Sequence, residues 1–215
     1  MRSDPRTWGL YLVTDRHQTG GRDLVEVVKD AVSSGAKAIQ LREKDLDTVD
    51  LYRLAERLLR VTRDAGTALL INDRADVAMA LPADGVHLGR SSLPPKEVRD
   101  LVGSQFLVGV SCHGVNDVRE AVEGRADFVV LGPVYATPSK AQYGPPLSPA
   151  IIGAARRTSQ IPLLAIGGMK TRYIPEVIAA GADGVAVISA VLTAPDPGEA
   201  ARQMLDAVVQ AKRVG

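Results

Sequence analysis

The chain has 215 residues, a length typical of one α/β domain with a sizeable core. Its 26 Lys and Arg residues nearly balance 25 Asp and Glu residues, and the formal net charge of +1 argues against a general attraction to nucleic acid or to an acidic membrane. The single cysteine excludes an internal disulfide, and no apolar run approaches the ~20 residues of a membrane span. Because the opening MRSDPRTWGLY lacks the apolar core of a secretion signal, we expect a cytoplasmic protein.

Short apolar segments recur along the chain, and four of them are variants of one phrase. Each variant begins with a turn and continues into a strand-like apolar stretch, and the four lie at residues 35–42, 83–90, 126–132 and 182–189. Four further apolar runs alternate with them, at residues 10–13, 68–71, 106–110 and 161–166. Their continuous apolar character is typical of parallel strands that are buried on both faces.

A helical pattern follows each strand. The clearest has apolar residues at helical spacing from Leu51 to Leu59, after the N-cap candidate Asp47 and before Gly66. The other helices are predicted to begin near Asp23, Arg74, Pro94, Val115, Ser148, Thr171 and Pro197. Eight strand–helix units predict an α/β fold, a single-domain TIM (β/α)8 barrel over about residues 9–211. The alternative, an open doubly wound sheet, usually has a glycine-rich turn after its first strand, where this chain has TDRH.

Polar residues follow the second and third strands, at the carboxyl ends that meet at one mouth of a barrel. Gln40, Arg42 and Lys44 alternate and therefore face one side, where two cations and an amide suit a highly charged oxyanion. A solvated charge cluster is the simpler alternative. Asn72 and Asp73 suit Mg²⁺, although the same aspartate also suits a helix cap.

The fourth and fifth strands carry groups that can contact a ligand or move a proton. His87 is predicted to point into the barrel, either against a ligand ring or as a core histidine bonded to neighbouring backbone. Ser111 and His113 are two residues apart and share a face, which permits an anion contact and an acid–base group. Cys112 between them is predicted to pack rather than to react.

The last three strands provide a second anion site. The loop at residues 133–147 is the longest irregular stretch, and it is either a substrate lid or a surface loop without that role. Its two hydroxyls and one cation are Thr137, Ser139 and Lys140. Gly167, Gly168 and Ser189 follow the seventh and eighth strands, the usual phosphate position of such barrels. We therefore expect one ligand with a diphosphate at the cation-rich site and another with a monophosphate here.

Seven motifs together make the chain resemble the thiamine-phosphate synthase family from about Leu10 to about Gln203. They are QLREK at 40–44, IND at 71–73, DGVHLG at 84–89, GVSCH at 109–113, GPVYATPSK at 132–140, AIGG at 165–168 and DGVAVIS at 183–189. The resemblance implies a transferase that joins hydroxymethylpyrimidine diphosphate to a thiazole phosphate and releases pyrophosphate. In that family the bond to pyrophosphate breaks early and the thiazole nitrogen captures a pyrimidinylmethyl cation, so leaving-group stabilisation matters more than a strong base.

The resemblance also implies roles for individual residues. The implied catalytic residues are Arg42, Lys44, Lys140 and His113. Those implied to bind the pyrimidine diphosphate are Gln40, Leu41, Arg42, Glu43, Lys44, Asn72, His87, Ser111 and Lys140. Those implied to bind the thiazole phosphate are Thr137, Pro138, Ser139, Gly167, Gly168, Ile188 and Ser189. Asp73 is the implied ligand of one Mg²⁺ ion.

One motif departs from the family pattern. The family's HxGQxD motif ends in an aspartate that is a second metal ligand, whereas this chain has HLGRSS, with Ser92 at that position. Mg²⁺ should therefore bind weakly, and Arg90 should replace part of the positive charge of the metal by contacting the diphosphate. Two alternatives stay open: a metal-independent TenI-type thiazole tautomerase, for which His113 is the best placed acid–base, and a non-catalytic regulatory relative that binds thiazole phosphate. The retained diphosphate residues favour the synthase. The expected partners are small phosphorylated molecules, and neither nucleic acid nor a membrane is expected to bind. The apolar helix faces fit either a homodimer interface or packing on the sheet.

Overall fold

The computed structural model of the chain describes residues 3–137 and 145–214. Within them eight parallel strands close into a barrel in sequence order, with the last strand paired to the first. The strands are β1 Leu10–Val13, β2 Ala38–Leu41, β3 Ala68–Asn72, β4 Gly85–Leu88, β5 Leu107–Cys112, β6 Phe128–Leu131, β7 Leu163–Ile166 and β8 Gly184–Val187. The predicted TIM barrel is confirmed, and closure of the sheet excludes the open doubly wound alternative.

Nine α-helices lie within the described ranges: α1 Leu24–Ser33, α2 Thr48–Asp64, α3 Ala75–Ala80, α4 Pro95–Val102, α5 Val115–Glu123, α6 Ala150–Arg156, α7 Ile174–Ala179, α8 Ser189–Leu192 and α9 Pro197–Val214. Asp47 caps α2 as predicted, since its carboxylate accepts the backbone N–H of Asp50 at 2.9 Å. The short α8 was not predicted, because one turn of helix has no apolar periodicity. No helix of the described residues is long and apolar enough to cross a membrane.

The barrel wall separates two apolar cores. One face of each strand packs against the helices, and the other points inward to a smaller cluster. Aromatic rings fill much of that interior, with ring centroids 5.4 Å apart for Trp8 and Tyr11 and 5.0 Å apart for Trp8 and Phe128. Because Trp8 precedes β1, these rings close the amino-terminal end of the barrel. The carboxyl end is left for polar side chains.

The repeated phrase also has a role at the amino-terminal end. Asp84, Asp127 and Asp183 stand just before β4, β6 and β8. Their carboxylates accept backbone N–H groups of the preceding strands at 2.7–2.8 Å, from Leu69, Val108 and Leu163. Arg99 and Arg156 add ion pairs to Asp127 and Asp183. These aspartates join neighbouring strands on the face of the barrel where residues contribute stability rather than chemistry.

Candidate active site

Polar residues from adjacent strands meet at the carboxyl end of the barrel. Asn72, the last residue of β3, lies beside His87 in the register of β3 and β4. Arg42 follows β2 and is half-buried, and its positive charge is close enough to lower the pKa of the His87 imidazole. Lys44 is exposed two residues further on. The predicted cation-rich site therefore has Arg42 at its inner edge and Lys44 at its outer edge.

Four polar side chains form a hydrogen-bonded chain across the interior. Gln40 Nε2 donates to the Tyr11 hydroxyl at 3.2 Å, and that hydroxyl lies 3.4 Å from His87 Nδ1. His87 Nε2 lies 3.0 Å from Ser111 Oγ. The inward direction predicted for His87 is confirmed, and the residue is buried as the core-histidine alternative expected, but its ring bonds side chains rather than backbone.

Burial controls the charge of this chain. It lowers the pKa of His87 to about 3, with a further lowering by the positive charge of Arg42, so the imidazole is neutral near pH 7. Burial also raises the pKa of the Tyr11 phenol, although the hydrogen bond from Gln40 acts in the opposite direction. The interior of the mouth is therefore polar and uncharged beneath the guanidinium.

Two residues of the QLREK motif turn their side chains into the protein. Leu41 is fully buried in the core between strands and helices. The Glu43 carboxylate is 1% exposed and accepts hydrogen bonds from the Thr14 hydroxyl at 2.6 Å, from the Arg16 backbone N–H at 3.0 Å and from the Arg16 guanidinium at 3.2 Å. Thr14 in turn accepts the backbone N–H of Arg42 at 2.9 Å. Glu43 thus ties the loop after β1 to the strand end that carries Arg42, and its contact with a substrate stays a prediction.

Asp73 is the predicted metal ligand, and it lies at the mouth with an exposed side chain and a φ of +65°. Its backbone N–H donates to the His87 carbonyl at 2.8 Å. The helix-cap alternative is wrong, because no side chain caps α3. Ser92 is engaged locally, with its hydroxyl accepting the Gly89 N–H at 2.7 Å. Among the described residues no group of three or more His, Cys, Asp or Glu side chains is arranged to hold a metal ion.

The loops after β4 and β5 line a pocket of about 700 Å³ that includes Arg90, Ser111 and His113. Ser111 and His113 share this face, as predicted from their spacing. His113 Nδ1 lies 2.6 Å from the Gly132 carbonyl, so this nitrogen carries a proton and donates it to that carbonyl. Arg90 is exposed. Cys112 is fully buried and burial raises the pKa of its thiol, which agrees with a packing role.

The predicted phosphate residues lie on the loops after β7 and β8. Gly167 and Gly168 have φ values of +100° and +60°, and a Cβ on Gly168 would lie 2.9 Å from the Cβ of Tyr135. Only glycine fits this close contact between the loops after β6 and β7. Ile188 is the N-cap residue of α8, and Ser189 is the first residue of that helix and is exposed. Of the predicted loop residues, Thr137 is half-buried, and Pro138, Ser139 and Lys140 lie outside the described residues.

Sequence reasoning missed two tyrosines near the mouth. Tyr135 stacks on Tyr173 with ring centroids 4.1 Å apart, and its hydroxyl donates to Glu176 at 2.5 Å, which fixes the start of the loop after β6 against α7. Tyr11 lies inside the apolar run LYLV and was assigned to the core alone. A signal was present, because alternation along β1 places Tyr11 on the same inward side as Val13.

The comparisons with known proteins agree on one family. A family model described as thiamine monophosphate synthase matches residues 10–191. A putative thiamine-phosphate synthase of Geobacter sulfurreducens is 52% identical over 92% of this chain and 93% of its own length. A thiamine-phosphate synthase of Moorella thermoacetica is 42% identical over 95% of this chain and 98% of its own. The solved thiamine phosphate pyrophosphorylase from Pyrococcus furiosus has a TM-score of 0.88 and 31% identity, covering 96% of this chain and 98% of that one.

Proposed function

The chain belongs to the thiamine monophosphate synthase family, and we propose that it joins hydroxymethylpyrimidine diphosphate to a thiazole phosphate, giving thiamine phosphate and pyrophosphate. The enzyme is a transferase of the pyrimidinylmethyl group. One observation supports this function: the cations Arg42 and Lys44 after β2, and the glycines and hydroxyl after β7 and β8, follow the carboxyl ends of strands of one barrel. We place the reaction in the cytoplasm, as expected from the sequence.

The pyrimidine diphosphate binds over the chain formed by Gln40, Tyr11, His87 and Ser111. Arg42 supplies a planar guanidinium that can bind two phosphate oxygens, and the exposed Lys44 adds a second charge. Asn72 contributes an amide beside His87. Lys140 completes the cation set on the basis of the family resemblance alone.

The reaction needs a stabilised leaving group and an ordered pair of substrates. The C–O bond breaks with both electrons going to the pyrophosphate oxygen, whose growing charge Arg42 and Lys44 offset. The thiazole nitrogen then donates its lone pair to the pyrimidinylmethyl carbon, and the C–N bond forms. A neutral His87 beneath this carbon adds no repulsion to the cation. No strong base is required, which suits a mouth whose interior is uncharged.

The thiazole phosphate binds between the loops after β7 and β8. The positive φ values of Gly167 and Gly168 let backbone N–H groups approach phosphate oxygens, and Ser189 adds an exposed hydroxyl. Ile188 packs beside Ser189 at the start of α8. The hydroxyls of Thr137 and Ser139 complete this set by the resemblance.

Mg²⁺ is proposed as a weakly held cofactor. The donor chemistry fits, because a hard cation takes one carboxylate, here Asp73, and fills its other positions with diphosphate oxygens and water. When bound it would neutralise part of the diphosphate charge. Ser92 contributes no negative charge and is bonded within its own turn, so the protein offers fewer anionic ligands than the family pattern. Arg90, on the same pocket wall, supports the diphosphate directly.

Steady-state kinetics of pyrophosphate release test the two-site arrangement. Arg42→Met should lower kcat/KM for the pyrimidine diphosphate by about 10- to 150-fold, the range expected for a lost charge-assisted hydrogen bond of roughly 1.5–3 kcal/mol. Ser189→Ala should mainly raise the KM for the thiazole phosphate. Thr62→Val is the matched control, because Thr62 is buried in α2 and its hydroxyl donates to the Leu59 carbonyl of the same helix. Equal effects of both variants on both substrates would contradict separate subsites, and thiazole isomerisation without pyrophosphate release would favour the tautomerase.

A further inference from the structure

The loop after β1 reaches two separate parts of the carboxyl mouth. It comprises residues 14–23, between β1 and α1. Near its start, Arg16 pairs with Glu43 and Asp45, which follow β2. Near its end, the half-buried Arg22 contacts the segment that follows β8. The loop thus connects the side of the mouth assigned to the diphosphate with the side assigned to the thiazole phosphate.

The Arg22 guanidinium is directed at three backbone carbonyls. Its Nε donates to the Thr19 carbonyl at 2.8 Å, and one terminal nitrogen donates to the Leu192 carbonyl at 2.7 Å. The other terminal nitrogen lies 3.4 Å from the carbonyl oxygen of Pro195. All three nitrogens therefore face main-chain oxygens. A side chain bonded in this way fixes the course of the backbone that it contacts.

The loop is itself fixed at the point where Arg22 leaves it. Thr19 is 1% exposed, and its hydroxyl oxygen lies 3.0 Å from the Arg16 carbonyl oxygen and 2.7 Å from that of Arg22. The next residue after Arg22, Asp23, caps α1 by accepting the Val25 N–H at 2.7 Å. The guanidinium thus extends from an anchored base, and its bond to Leu192 restrains the segment after β8.

The restrained segment is the single helical turn α8. Leu192 is its last residue, and the last carbonyls of a helix lack partners within the helix. Arg22 supplies the donor for Leu192, and its positive charge also suits the negative end of the helix dipole. Ser189, the first residue of the turn, lies about 5 Å away along the helix axis. Its carbonyl accepts the Thr193 N–H at 3.1 Å and the Thr193 hydroxyl at 2.8 Å, so the two ends of the turn are linked.

We propose that Arg22 is a positioning residue for the thiazole phosphate, acting through α8 on Ser189. The inference rests on the proposed function, in which the Ser189 hydroxyl contacts that phosphate. Without the guanidinium, the Leu192 carbonyl loses its donor and the turn can shift. Hydrogen bonds weaken steeply with distance and angle, so a small shift of Ser189 weakens phosphate binding. The diphosphate side keeps its geometry, because Arg16 and Glu43 hold it independently of Arg22.

Steady-state kinetics separate this role from general stabilisation. Arg22→Met keeps the apolar stem and removes the donors, so the KM for the thiazole phosphate at saturating pyrimidine diphosphate should rise about tenfold, the effect of roughly one hydrogen bond to a charged group. The KM for the pyrimidine diphosphate should stay nearly constant. Arg22→Lys retains one charged donor and should recover part of the loss. Arg57→Met is the matched control, because Arg57 lines the same surface pocket, pairs with Asp23 at 2.8 Å and should leave both KM values unchanged when removed.

Hydrogen exchange measures the loosening of α8 directly. The amides of Leu192 and Thr193 close the turn at 3.0 and 3.1 Å, and they should exchange faster in Arg22→Met while the barrel strands exchange as in the wild type. Faster exchange throughout the barrel, or equal rises in both KM values, would overturn the proposal. So would an unchanged KM for the thiazole phosphate in Arg22→Met, or in Arg22→Lys where only that variant folds. A wild type that releases no pyrophosphate with both substrates would instead contradict the proposed function.

Discussion

Replacing Glu43 by alanine distinguishes a structural carboxylate from a substrate contact. The side chain is 1% exposed and accepts hydrogen bonds from the Thr14 hydroxyl, the Arg16 N–H and the Arg16 guanidinium. Removing one partner of a buried charged pair typically costs ~3–5 kcal/mol. Arg16 is 29% exposed and keeps its pair with Asp45 at 2.5 Å, so we take the lower end, ~3 kcal/mol. For a chain of this size that corresponds to a Tm lowered by about 6–12 °C.

Urea unfolding and thermal melting of the Glu43→Ala variant measure this loss. The matched control is Glu26→Ala, which removes an exposed carboxylate 3.4 Å from Lys29 on α1 and should change the free energy of unfolding by less than about 0.5 kcal/mol. Kinetics on the folded fraction complete the test. An unchanged Tm together with a raised KM for the pyrimidine diphosphate would refute the structural account and restore the substrate contact implied by the sequence motif.

Three further predictions concern the loops and the amino-terminal end of the barrel. Gly168→Ala places a Cβ against the loop after β6, at a backbone φ of +60° that strains alanine. In steady-state kinetics the KM for the thiazole phosphate should rise about tenfold, while the KM for the pyrimidine diphosphate stays nearly constant. Arg156→Ala breaks the part-buried pair with Asp183, and urea unfolding should show ~2–3 kcal/mol less stability with both KM values unchanged. Ser92→Asp should shift the Mg²⁺ dependence of pyrophosphate release to lower metal concentrations, because it adds a carboxylate ligand. Arg90→Ala should lower turnover at saturating Mg²⁺. An unchanged Mg²⁺ titration in the first variant, or unchanged turnover in the second, would contradict the role given to that position.

The barrel and its working end could be predicted from the sequence because both depend on periodicity. Eight continuous apolar runs separated by helical patterns specify parallel strands, and the residue after each strand must then lie at the carboxyl mouth. Alternation correctly placed His87 on the inner side of β4, and Ser111 and His113 on a shared face that lines one pocket. These are local properties of the chain, and a single sequence contains them.

What could not be predicted depends on contacts between distant segments. Glu43 stands next to Arg42 in the motif, but Thr14 and Arg16, about 27–29 residues earlier, decide that its carboxylate is buried. The Tyr11 hydroxyl lies in an apolar run, and only the neighbouring strands show that it bonds Gln40. The aspartates of the repeated phrase, which look like turn residues, bond strands that precede them. Each miss is a non-local hydrogen bond that satisfies a buried polar group.

Product analysis of the wild-type enzyme with both substrates tests the central claim most directly. Pyrimidine diphosphate, thiazole phosphate and Mg²⁺ are mixed, and pyrophosphate and thiamine phosphate are quantified over time, with each substrate omitted in turn. We predict one pyrophosphate for each thiamine phosphate, and no thiamine phosphate when either substrate is missing. Absence of thiamine phosphate from the complete mixture would contradict the account.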